Sequence, residues 1–212
     1  MKNTTFCFLL FQVIISIFIS SLQAQIPKEY PANYASGPRF KALVFYTTDA
    51  EEAHVDFARE GVRFFKRLNY GDGFILDTIT DFTGFTYENF REYDIVVMLN
   101  GYPNGPQERL AFQKYMENGG GWMGFHVAAY NDRTTNWPWF VDFLGGGVFY
   151  CNNWPPQPVK VALDNQDHPV TKNLPASFIV PESEWYQWNP SPREKKRWKY
   201  SYPFHRITIH WA

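Results

Sequence analysis

Cysteine is nearly missing from this 212-residue chain, which holds two, Cys7 and Cys151. Cys7 falls in an N-terminal apolar segment, so a chain that loses that segment keeps Cys151 alone and has no intramolecular disulfide. Folding then rests on a packed core. Cys151 itself reads first as a small packed hydrophobe, because no cationic neighbour marks it as a thiolate. Net charge is missing too. The 20 basic and 21 acidic residues leave a formal charge of −1, so there is no electrostatic footprint for nucleic acid or for an anionic membrane surface. Past the N-terminal segment no stretch is apolar enough to cross a bilayer. No internal repeat, low-complexity linker or second domain is visible. What remains has the size of one domain with a substantial core.

The first residues carry a pattern of their own. Lys2 precedes an apolar run from Phe6 to Ile19, followed by Ser20, Ser21 and Leu22-Gln23-Ala24. An early cation, a short apolar core and small residues before a cut site describe a secretory signal peptide over residues 1–24, with cleavage expected after Ala24. The run is shorter than the ~20 residues of a spanning helix. The expectation is a periplasmic or secreted protein with no stable membrane insertion.

After a polar, Pro-containing lead-in, Lys41 to Tyr46 is a short apolar run suited to a strand buried on both faces. Glu52 to Leu68 places Ala53, Phe57, Gly61, Phe64, Phe65 and Leu68 at helical spacing, with Asp49 as a candidate cap and Gly71 past the end. The alternation continues with a strand at Phe74–Thr78, a helical stretch at Tyr87–Tyr93 and a strand at Asp94–Leu99. A helix at Gln107–Asn118 and a strand at Trp122–His126 follow. This predicts an α/β fold of flavodoxin-like type, a parallel sheet with helices on both faces, binding ligands beyond the carboxyl ends of its strands. A short helix at Trp137–Leu144, a strand at Val159–Leu163 and extended chain at Phe178–Gln187 complete the reading.

His126 is the most informative position. It ends an apolar strand and precedes Val127-Ala128-Ala129, small residues that can open a helix. In amidotransferase-like and α/β-hydrolase folds, such a strand-turn-helix corner holds the nucleophile near backbone N–H groups. A histidine there cannot be the thiol that attacks glutamine, and Cys151 lacks a Gly-x-Cys-x-Gly context, so glutaminase chemistry is not expected. An imidazole at the corner serves as general acid, general base or metal ligand, or as a hydrogen-bonded structural residue. Gly119 to Gly124 also matches G-x-G-x-x-G, but these glycines end a helix and enter a strand, the reverse of the dinucleotide fingerprint. Their expected role is a helix stop with close packing.

His54, near the carboxyl end of the first strand, is a second candidate, against a plain surface histidine. Among the 8 Trp and 13 Tyr, Trp137, Trp139, Trp154 and Trp185 flank these segments, and aromatic faces can cover the apolar faces of sugar rings. Asn131, Asp132 and Arg133 follow the corner and could bind hydroxyls. His54, His126 and Glu184 offer nitrogen and oxygen donors, but no spacing matches a metal motif, so no metal and no cofactor is assigned.

Gly119-Gly120-Gly121-Trp122-Met123-Gly124-Phe125-His126-Val127-Ala128-Ala129 resembles the "GGG, two residues, G-x-H-x-A" signature of the ThuA-like, trehalose-utilisation family. Asp167-His168-Pro169-Val170-Thr171 resembles its "D/E-H-P-I/V-T" turn, and Glu182-Ser183-Glu184-Trp185-Tyr186 its "D-E-x-Y" segment. The resemblance implies a glutamine amidotransferase-like fold over residues 40–193 and a role in disaccharide or keto-sugar catabolism. It implies catalytic roles for His126 and Glu184 and substrate contacts from Tyr186, joined on residue chemistry by His54, Trp137 and Asn131. The implied partner is a small carbohydrate, either turned over or bound without turnover, with homo-oligomer formation open.

Residues 194–212 do not resemble the family's C-terminal strands, which would leave those strands missing and the product an inactive remnant. A codon choice exists for Arg197–Ala212 that, read two positions later, yields a family-like strand and loop, so a frameshift is the hypothesis. Resequencing the gene through and beyond codon 212 is expected to show a family-like continuation in the shifted frame; its lack removes the hypothesis. Mass spectrometry of exported protein is expected to find a mature chain beginning at Gln25.

Overall fold

The computed structural model describes residues 38–194. The signal-peptide reading of residues 1–24 and the tail from residue 195 lie outside them. Among the described residues, eight strands and four α-helices follow in order: β1 (Lys41–Phe45), α1 (Glu52–Asp72), β2 (Ile75–Ile79), α2 (Tyr87–Phe90), β3 (Ile95–Met98), α3 (Pro106–Glu117), β4 (Gly121–Gly124), α4 (Pro138–Leu144), β5 (Val148–Asn152), β6 (Gln157–Ala162), β7 (Ser177–Ser183) and β8 (Tyr186–Asn189). A 3₁₀ turn, His126–Ala129, follows β4.

The first four strands form a parallel sheet in the order β2-β1-β3-β4. This is the order of a flavodoxin-like doubly wound sheet, as the alternating pattern predicts. Side chains of a strand point alternately to its two faces, and the core divides accordingly. Leu43, Phe45, Val96 and Met98 pack with Phe90, Phe112, Phe140 and Phe143 from α2, α3 and α4. Val44, Val97 and Leu99 pack against Ala58 and Val62 of α1 on the opposite face. Both faces carry helices, which is why these strands read as continuous apolar runs.

Several boundaries differ from the sequence expectation. Helix α1 runs past Gly71 to Asp72 and ends at Gly73, whose left-handed φ of 66° suits a residue without Cβ. Its N-cap is Glu51, not Asp49, and no side chain caps it; the Asp49 N–H is taken by Thr47 Oγ1 at 3.0 Å. Strand β4 stops at Gly124 rather than His126 because His126 turns the chain out of the sheet. The glycine run acts as expected: a Cβ on Gly121 would sit 2.7 Å from the Asp94 carbonyl oxygen. Strand β5 was not foreseen, since its five residues lie between a glycine run and a Pro-rich stretch. It pairs antiparallel with β8, while β6 pairs antiparallel with β7.

Phe112 is 0% exposed and lies among Phe90, Tyr115 and Trp137, with ring centroids at 5.7, 6.2 and 6.1 Å. Phe112→Ala is expected to lower stability by about 3–5 kcal/mol in urea unfolding. Leu110→Ser, on the same helix but 64% exposed, should change it by no more than about 0.5 kcal/mol.

Candidate active site at the carboxyl rim of the sheet

Phe45, Met98 and Gly124 are level in the parallel ladder. Two residues further along each strand come Thr47, Asn100 and His126, so all three leave the sheet on its carboxyl rim. Asn100 is 2% exposed and uses its whole amide. Its Oδ1 accepts the Thr47 N–H at 2.8 Å, and its Nδ2 donates to the carbonyls of Thr47 at 2.9 Å and His54 at 3.2 Å. The loop after β1 and the first turn of α1 are thereby tied to the end of β3.

His126 has φ 45°, the one left-handed non-glycine residue among the described residues. Such a conformation is costly for a side chain with a Cβ and is held by its surroundings. Here the Phe125 N–H continues the ladder to the Met98 carbonyl at 3.0 Å, and the Ala128 N–H returns to the Phe125 carbonyl at 2.9 Å. The corner is therefore pinned on both sides, and the imidazole stands above the sheet.

Glu184 and Tyr186 reach His126 from the small antiparallel layer. His126 Nε2 lies 2.8 Å from Tyr186 Oη, and Tyr186 Oη donates to Glu184 Oε2 at 2.8 Å. A carboxylate only accepts, so the tyrosine proton points to Glu184 and the proton between His126 and Tyr186 belongs to Nε2. Nδ1 of the neutral ring is then the basic nitrogen. Asn152, opposite Tyr186 in the β5–β8 register, donates from Nδ2 to Glu184 Oε1 at 3.2 Å. The remaining wall is aromatic: Phe149 lies 5.3 Å from Tyr130 and 5.4 Å from Tyr186, and Trp188 lies 6.2 Å from Tyr186.

His54 joins the site, its ring 5.0 Å from that of His126 and nearly perpendicular to it. Its Nδ1 is 3.8 Å from Glu51 Oε2. Partial burial, then the charge of His54, hold the His126 imidazole below its ordinary value, against the opposing pull of Glu184 and Glu51. Burial and the bond to Glu184 push the Tyr186 hydroxyl well above its ordinary range, so it stays protonated.

Of the residues expected to form the site, His54, His126, Glu184 and Tyr186 come together. Trp137 does not: it is 5% exposed and stacked on Phe140 at 4.5 Å, a core residue with no free face for a sugar. Asn131 is 1% exposed, and its backbone carbonyl accepts the Phe149 N–H at 3.2 Å. Trp154, which flanks these segments in sequence, is 78% exposed. Asn100, Asn152 and Glu51 were not foreseen. Asparagines at strand ends and in bends carry no sequence pattern of their own, although Glu51 lies three residues before His54. Among the described residues, no group of three or more His, Cys, Asp or Glu is placed to hold a metal ion, and no helix is long and apolar enough to cross a membrane.

A family model described as ThuA, trehalose utilisation, matches residues 41–200. The chain belongs to the ThuA family. Among solved structures, a ThuA-like protein from Bacteroides uniformis is 69% identical, with a TM-score of 0.73, over 79% of this chain and 68% of that one. A ThuA-like protein from Parabacteroides merdae is 18% identical, with a TM-score of 0.53, over 70% of this chain and 62% of that one. The second likeness shows the fold alone. Curated proteins returned no match. The ThuA family is glutamine amidotransferase-like in fold, in accord with the parallel sheet and the occupied corner after β4.

The electrostatics of the ThuA site can be read by NMR titration of the His126 ring. Replacing His54 with Gln removes a repelling charge and is expected to raise the His126 midpoint; Glu184→Gln removes an attracting one and should lower it further. Because folding depresses the His126 value, its contribution is present above the ordinary imidazole value. The stability attached to this group is lost as pH falls through the interval down to the folded value.

Proposed function

We propose that this ThuA-family chain is an exported enzyme of disaccharide or keto-sugar catabolism, with His126 as the group that moves a proton on the sugar. The observation that carries the reading is the chain from His126 Nε2 through Tyr186 Oη to Glu184 Oε2, with both contacts at 2.8 Å. It orients the imidazole, assigns its proton to Nε2 and presents Nδ1 as base at a strained corner on the ligand-binding rim.

A carbon next to a carbonyl is acidic enough for an imidazole to deprotonate, whereas an ordinary glycosidic bond is handled by paired carboxylates. The two roles divide accordingly. His126 accepts the proton, and Glu184, working through Tyr186, stabilises the imidazolium that results. The depressed basicity of His126 keeps it unprotonated near neutral pH, as a base requires. The aromatic wall of Tyr130, Phe149, Tyr186 and Trp188 offers faces to a sugar ring. That wall also supports the second reading, a carbohydrate-binding protein without turnover.

One variant separates the two. If the chain is an enzyme, His126→Ala should lower turnover of a ring-ketone derivative of trehalose by about 10²–10⁴-fold while calorimetry still finds the sugar bound. A wild-type protein that binds the ketone and never changes it is a binding protein.

A further inference from the structure

We propose that His54 is a second acid–base group of this site, acting on the carbonyl oxygen while His126 acts on carbon. The reaction is then a carbonyl shift between adjacent carbons of a hydroxy-ketone sugar and not a hydrolysis. The inference rests on the proposed function and names its reaction class.

Three observations place His54 in the reaction and not merely near it. Its ring meets the His126 ring edge to face, centroids 5.0 Å apart, close enough for one small group to lie within hydrogen-bonding reach of both imidazoles. Its backbone carbonyl is held at 3.2 Å by the buried amide of Asn100, the same amide that clamps Thr47, so the ring is positioned from the core. Glu51 Oε2 lies 3.8 Å from His54 Nδ1 and so faces a proton carried on that nitrogen. The corresponding carboxylate of His126 is reached only through Tyr186. One imidazole is thus arranged to give a proton and the other to take one.

The steps balance with these two groups alone. His126 Nδ1 takes the proton from the carbon that bears hydrogen and hydroxyl beside the carbonyl. The C–H pair becomes a C=C bond, and the carbonyl π pair moves to oxygen, which takes the proton of His54. The product of this step is an enediol. In return, neutral His54 takes the proton of the neighbouring hydroxyl, whose O–H pair forms the new carbonyl. The C=C pair then collects the proton of His126 at the former carbonyl carbon. Both imidazoles end as they began, nothing is oxidised overall, and no co-reactant is needed.

The test uses the full chain with a ring-ketone derivative of trehalose in D₂O, followed by NMR. Wild type is expected to move the carbonyl to the adjacent carbon and to place deuterium on the former carbonyl carbon. His54→Ala should lower this rate by about 10²-fold or more, and added imidazole should restore part of it, which a purely structural histidine would not allow. If His54→Ala does not fold, as judged by its unfolding transition, His54→Gln takes its place with the same expected loss. A wild type that releases free monosaccharide without moving the carbonyl overturns the reaction class. A His54 variant within about threefold of wild type, or one that imidazole does not rescue, overturns the role of His54 and leaves the proposed function standing. A wild type with no action on the ketone overturns both.

Discussion

The parallel pairing of β1, β3 and β4 sets Phe45 beside Met98 and Met98 beside Gly124. From that register the rest of the site follows. Hydrogen bonds between parallel strands fix the relative height of their ends, so the loops that leave them begin on one rim. Thr47, Asn100 and His126 leave the sheet on one rim because each lies two residues past a paired position. A slip of one residue in any of these strands would send its rim residue to the opposite face and its apolar set out of the core.

Two kinds of constraint keep this rim in place. Below it, β1 and β3 are locked between an aromatic layer against Leu43, Phe45, Val96 and Met98 on one face and α1 against Val44, Val97 and Leu99 on the other. On it, a single buried amide does what a longer hydrogen-bonded loop would do, since Asn100 saturates its donors and its acceptor within two short segments. Leaving such a group unmatched in the interior would be costly. The left-handed backbone of His126 can persist because the ladder contact of Phe125 and the turn contact of Ala128 leave it little alternative. The small antiparallel layer adds what the sheet does not supply, a carboxylate and a phenol facing the imidazole, with Asn152 on the second carboxylate oxygen.

Much of the fold was legible in the sequence, for identifiable reasons. The strands of the parallel sheet are short apolar runs because both their faces are covered, and α1 and α3 show their apolar spacing openly. The corner at His126 was legible because an apolar strand gives way there to small residues that can open a helical turn. The family resemblance pointed to Glu184 and Tyr186. Strand β5 was hidden between glycines and prolines, and the end of α1 was misplaced because Gly71 and Gly73 both resemble helix stops. Trp137 illustrates the limit of composition: a tryptophan beside the site in sequence is turned inward by α4 and stacked on Phe140.

The sequence by itself determined which strands are buried on both faces, where the chain leaves the sheet and that the residue at the corner is an imidazole, because these depend on local periodicity and residue type. Only the tertiary structure decided what that imidazole faces. Tyr186 and Glu184 are 60 and 58 residues away in the chain, His54 comes from the first turn of α1, and the Asn100 amide joins segments that share no sequence pattern. Such contacts are set by strand register and packing, which bring distant segments together without marking either partner in advance.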